Sequence, residues 1–347
     1  MRQAINEPAR QERNYLSVRL HRRARHRDPL KEVASASTVS MDSSAKPATW
    51  KVLLAFSMIY FVWGSTYLAI RVGVQEVPPF LLAAMRFAAA GGILYAWMRI
   101  SGAVPPSARE WGAAALLAIL IFVLDYGLLF WAERRVPSGI AAVMLATIPL
   151  FTALSEILLL RTQRLTVQLS FALALGIGGV AVLVSRTTSL GEPIDAAGFI
   201  ALVVAAMSWS ASSALTRKLP LPASKPMSSA IQMLSGGALL GLVSGLLGEF
   251  HQFDFRAVSR GAWIALAYLI VAGSIVAFTA YVWLIHHESP TKVGTYAYVN
   301  PVVAVAVGHY FGGEPVGART ILGTCLVLVS VVVITMKTPG LRFRRFR

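Results

Sequence analysis

The sequence predicts an all-α integral membrane protein whose ten transmembrane helices form two inverted five-helix repeats. Three observations carry that prediction. Of 347 residues, 56% are hydrophobic and only 14% charged, where a soluble domain carries about 25% charged residues. The apolar residues fall in continuous runs of roughly 18–24, enough to cross about 30 Å of hydrocarbon as a helix. The two halves of the chain also repeat each other's tryptophans and prolines at fixed offsets.

The runs lie near 52–74, 79–98, 111–132, 138–160, 166–185, 196–216, 227–247, 262–285, 290–311 and 318–336. Their continuity excludes the period-two pattern of a membrane barrel. Lipid offers no partners to backbone N–H and C=O groups, so each run reads as a helix. Residues 1–50 form a basic tail, read as disordered and cytoplasmic. It has no secretory apolar core, and Met41 rivals Met1 as the translation start. Residues 51–185 make the first repeat, 195–336 the second, and 337–347 a second basic tail.

Charge in the loops sets the orientation. Arg99, Arg109, Arg161, Arg164, Arg217, Lys218, Lys225 and Lys292 share one side with the C-terminal tail. Arginines of the opposite loops are diluted by Glu133, Glu192, Asp195, Glu249, Asp254 and Glu314. The positive-inside rule then puts both termini in the cytoplasm, and the chain is expected in the cell inner (plasma) membrane. Arg134 and Arg135 conflict with that rule. The net charge of +16 follows the same pattern and is not read as a nucleic-acid surface.

At an offset of 146, Trp63 meets Trp209, Arg71 meets Arg217 and Gly91 meets Gly237. At 152, Trp111 meets Trp263, Trp131 meets Trp283 and Pro149 meets Pro301. Five spans per half is an odd number, so the second half enters the membrane inverted. Many secondary transporters are built this way, with a midplane site between the repeats.

Several chemistries are excluded. HExxH, GxSxG, Walker A and GxGxxG motifs are absent, which argues against a protease, a hydrolase and an ATP-driven pump. Cys325 is the single cysteine. No cofactor or metal site is expected.

Ionisable residues within a span are costly and are functional candidates. Arg86 and Asp125 each lie about seven residues, or roughly 10 Å, from the external ends of their spans. They are expected to face a central cavity, paired directly or through water. Tyr60, Trp63 and Tyr67 share one helical face with Arg71 and are expected to line the path. Tyr296 and Asn300 share a face of the ninth span. Pro149 and Pro301 each free a carbonyl one turn earlier, near Leu145 and Ala297, and are candidate hinges. Gly237, Gly241 and Gly245 form a ridge for close helix packing, within one monomer rather than at a dimer seam.

The segments Trp63-Gly64-Ser65-Thr66-Tyr67, Val136-Pro137-Ser138-Gly139-Ile140-Ala141-Ala142 and Tyr296-Ala297-Tyr298-Val299-Asn300-Pro301, with Arg86 and Ser289-Pro290, resemble the drug/metabolite transporter superfamily. They look most like its ten-helix EamA-type exporters, over residues 51–336. The resemblance implies export of amino acids, metabolites or drugs, without ATP hydrolysis. Family members usually carry Gly-Glu before the last span, here Gly313-Glu314, whereas the equivalent place in the first half reads Arg161-Thr162-Gln163-Arg164.

The expected partners are a small-molecule solute and the lipid bilayer, with protons as a candidate coupling ion and no nucleic acid. Monomer and homodimer both stay open. A nucleotide-sugar or organophosphate exchanger is the second reading. A membrane-embedded lipid-modifying enzyme is the reading from another class.

Overall fold

The computed structural model describes residues 47–158, 166–184, 195–216, 218–288 and 290–335. Most of both expected basic tails, and the loops 159–165 and 185–194, lie outside the described residues. The described residues are helical, with no strand. The helices are α1 (Thr49–Glu76), α2 (Pro79–Ile100), α3 (Ala108–Ala132), α4 (Ser138–Leu145), α5 (Ile148–Leu158) and α6 (Val167–Val184). They continue as α7 (Ala196–Thr216), α8 (Lys225–Leu246), α9 (260–287), α10 (Tyr296–Gly312) and α11 (Ala318–Thr335). Six of them, α1, α2, α3, α7, α8 and α9, contain segments long and apolar enough to cross a membrane, and shorter apolar helices accompany them.

Local chemistry sets the helix ends. Pro79 opens α2, where a missing N–H costs nothing. Ser107 and Glu110 form a reciprocal capping box at the start of α3. Gly248 and Gly313 take left-handed φ of 71° and 65° just after α8 and α10, which halts a helix and suits glycine.

Two of the predicted spans are interrupted. The fourth breaks at Ala146–Thr147, where the Thr147 hydroxyl donates to the Met144 carbonyl at 2.5 Å. Pro149 then sits in the first turn of α5. The ninth does not run unbroken from 290. A single turn, Pro290–Val293, precedes a turn at Gly294–Thr295, and α10 starts at Tyr296. Pro301 lies inside α10 without interrupting it. The two prolines therefore share a sequence register but not a helix break.

Three helices contain wider, π-helical turns: Met58–Val62 in α1, Ile119–Gly127 in α3 and Leu269–Val276 in α9. Such turns shift hydrogen bonds from i+4 to i+5 and leave carbonyls for side chains to satisfy. Ser208 of α7 donates to Leu120 O at 2.9 Å, and Trp63 Nε1 donates to Gly273 O at 3.0 Å. The Asn300 amide faces the Ile59, Tyr60 and Tyr296 carbonyls at 3.2 Å each, so its NH2 group points there.

Helices α2 and α8 pack backbone to backbone. A Cβ on Gly237 would sit 2.5 Å from Ala88 N, and one on Gly91 would sit 2.7 Å from Leu234 N. The glycine ridge of α8 thus serves packing within the chain, as expected from its spacing.

Candidate functional site

A cavity of about 340 Å3 lies among α1 to α5 and α7 to α10, within the size range of small-molecule sites. Helices α6 and α11 contribute no lining residue. The walls are mainly aromatic and aliphatic. Trp63, Tyr67, Arg86, Asp125, Tyr296, Asn300, Pro149 and Pro301 all line it, so eight of the nine residues singled out in the sequence meet in one space.

Tyr60 is the exception. Its hydroxyl lies 2.5 Å from Thr295 Oγ1, and its ring packs with Phe56 beside the buried Leu284 and Val293. Tyr60 falls in the wide turn Met58–Val62. A wide turn breaks the 3.6-residue register that had aligned it with Trp63 and Tyr67. Arg71 also leaves the cavity and bonds at the Glu133 end of the bundle.

Arg86 is 3% exposed and Asp125 2%. They do not form the direct ion pair allowed for above: no contact within 4.0 Å joins them. Arg86 Nε donates instead to Ser274 Oγ at 3.0 Å, and that hydroxyl donates to Leu269 O at 3.0 Å. The guanidinium lies 4.9 Å from the Phe87 ring, 5.5 Å from Tyr126 and 6.0 Å from Phe130. A cation desolvated over aromatic faces gains about 2 kcal/mol, which offsets part of its burial. Gly273 makes the approach possible, since a Cβ there would lie 3.3 Å from Arg86 Nη2.

Arg86 Nη1 and Asp125 Oδ1 are buried without hydrogen-bond partners. An unsatisfied buried polar atom costs about 1–3 kcal/mol, more when charged. Arg86 and Asp125 thus bring to the cavity lining a donor and an acceptor without protein partners. Beside them Trp63, Tyr281 and Tyr296 pack with ring centroids 5.2–6.0 Å apart. Leu145 and Ala297, whose carbonyls lose their i+4 donors to the two prolines, also line the space. Among the described residues no group of metal ligands is present.

The sequence reading missed a ring of glutamates that cap helices. Glu249 accepts the Phe80 and Leu81 amides of α2 at 3.4 and 2.9 Å. Glu76 accepts both N–H and Oγ–H of Ser259, the N-cap of α9, at 2.5 and 2.7 Å. Glu314 accepts the Ser138 and Gly139 amides of α4 at 2.8 and 3.1 Å. Their signal was available in kind, because a carboxylate beside a helix N-terminus is favourable. Which helix each would reach was not.

Comparison with known proteins identifies the family. The signature of the EamA-like transporter family matches residues 49–185 and again 196–336. The chain belongs to the EamA-like transporter family. The uncharacterized inner membrane transporter YedA of Escherichia coli K12 is 37% identical over 285 residues, covering 81% of this chain and 90% of its own. Protein PecM of Dickeya dadantii is 27% identical over 275 residues, covering 79% and 88%. A solved crystal structure covers 82% of this chain and 96% of its own at 22% identity, with a TM-score of 0.55; that likeness concerns the fold alone. The drug/metabolite transporter resemblance holds, and the chain is a membrane transporter of the EamA-like kind.

Proposed function

We propose that this transporter is a secondary active exporter of small organic solutes, amino acids, metabolites or drugs, across the inner membrane. It works by alternating access between two inverted five-helix repeats, with both termini cytoplasmic. The observation that carries this reading is the lining of the cavity. At the sequence offset of 146, Trp63 corresponds to Trp209, Arg86 to Gln232 and Phe87 to Met233. At 152, Phe122 corresponds to Ser274, Ile148 to Asn300 and Pro149 to Pro301. Both members of all six pairs line the cavity. A solute held between equivalent surfaces of two repeats is released to opposite sides when the repeats exchange conformations.

Within this reading Arg86 holds an electronegative group of the solute, and Asp125 is the proton-coupling carboxylate of the cavity. The aromatic walls hold the apolar part. Pro149 and Pro301 act as hinges beside the solute. Arg86 is the single basic residue among the described lining, which favours this reading over a nucleotide-sugar exchanger, whose phosphates call for several cations.

The test is solute flux in proteoliposomes under an imposed pH gradient, using a metabolite panel that includes amino acids. Flux of some member is expected from the unaltered chain, and Asp125→Asn is expected to uncouple it from pH. Retention of full pH dependence by Asp125→Asn removes the coupling role.

A further inference from the structure

Glu133 stands at the end of α3, fully buried. Neither of its carboxylate oxygens has a hydrogen-bond partner. Charged groups face it from several elements. From α1, Arg71 Nη1 donates to the Glu133 backbone carbonyl at 2.9 Å and to that of Val136 at 2.6 Å. From the segment after α10, Glu314 meets Arg71 Nε at 3.4 Å while capping α4. Arg86 of α2 and Tyr67 of α1 act on Glu133 through space. On its own turn, Arg135 is held by Asp195, next to the start of α7, at 3.0 Å and by the Trp131 ring at 3.9 Å.

One guanidinium thus bonds the backbone of Glu133 while its side-chain ion pair is with Glu314. An ionised Glu133 here would be a buried charge without a hydrogen bond, which costs several kcal/mol. Burial pushes its carboxyl well above the usual range, and Arg71 opposes that only in part.

We propose that Glu133 is a proton-binding site, distinct from Asp125, whose occupancy holds this end of the bundle shut. This rests on the alternating-access reading. With the proton bound, Glu133 is neutral and Arg71 stays on Glu314, so the junction of α1, α4 and α10 is intact. When the carboxyl releases its proton to water, the new anion competes for Arg71. The pair holding Glu314 on the α4 amides weakens, and the end loosens. The sign follows from the raised affinity in the closed form. Closure is fully favoured below the ordinary carboxylate range and is lost as pH rises through the elevated value of Glu133.

The test uses the full chain in lipid nanodiscs, with Cys325→Ser, and spin labels at Gly317→Cys and Arg256→Cys, two exposed positions of this end. Pulsed distance measurements across pH are expected to show one short distance in acid and a longer population growing as pH rises. Glu133→Gln, a neutral mimic, is expected to keep the short distance at every pH. Glu110→Gln, at the opposite end of α3, is expected to respond like the unaltered chain. A Glu133→Gln response matching the unaltered chain overturns the proposal, as does an unaltered chain whose distances ignore pH. If Glu133→Gln fails to fold, infrared spectroscopy of the Asp125→Asn protein decides. A protonated-carboxyl band that disappears on raising pH supports the site, and absence of the band overturns it. Loss of the transport reading is separate: it shows as no solute flux from a chain that still responds to pH.

Discussion

At Arg86 a guanidinium is held without a carboxylate. Ser274 takes one N–H, three rings take the faces, and Nη1 is unsatisfied. This is a geometry for a planar fork rather than a point charge. Arg86→Lys is therefore expected to keep the charge yet raise the KM of the solute at least about tenfold, with less change in maximal flux; concentration-dependent uptake into proteoliposomes measures it. The depth of Arg86 in its span was legible from sequence. Its partner was not, because Ser274 acquires its place only where α9 carries the wide turn Leu269–Val276. Asp125 was legible in the same way, and of the two pairings with Arg86 allowed for, direct or through water, the direct one is absent. Across the duplication the charges are one-sided: Gln232 stands opposite Arg86, and Ala277 stands at the offset of 152 from Asp125.

Among the elements, α2 and α8 depend on small residues most directly. A methyl on Gly237 meets the backbone of α2, which cannot swing aside as a flexible side chain can. Gly237→Ala is expected to cost about 1–3 kcal/mol, read as a lower thermal midpoint of the detergent-solubilised protein. The cap on α2 is a second case. Glu249→Ala leaves the Phe80 and Leu81 amides without their carboxylate acceptor and is expected to cost about 1–2 kcal/mol, measured in the same way, while Glu249→Gln recovers part of the loss. The glycine spacing that makes the first prediction was plain in the sequence. The second requires knowing that the segment after α8 reaches the start of α2, a contact between residues about 170 apart.

On the scale of the whole molecule, the glutamate caps join the two halves at one end. Glu76, in the first half, caps α9 in the second; Glu249 and Glu314, in the second, cap α2 and α4 in the first. Alternating access requires that end to part. In a Cys325→Ser background, Glu76→Cys with Ser259→Cys is expected to stop solute flux when oxidised and to restore it on reduction. Flux that is indifferent to the crosslink sinks the requirement that this end opens.

The sequence by itself determined the helical class, the positions of the apolar segments, the family and the duplication. Each of these depends on local hydrophobicity and on residue spacing, and neither needs a partner. It also pointed to eight residues that meet in one cavity, because a polar or aromatic group at a given depth of a span announces itself by position. Tertiary structure alone decided where the register slips, where α4 and α10 break or begin, which serine receives Arg86 and which helix each glutamate caps. These outcomes turn on long-range satisfaction of backbone carbonyls and amides. No single segment encodes that satisfaction, since the donor and the acceptor lie in different helices.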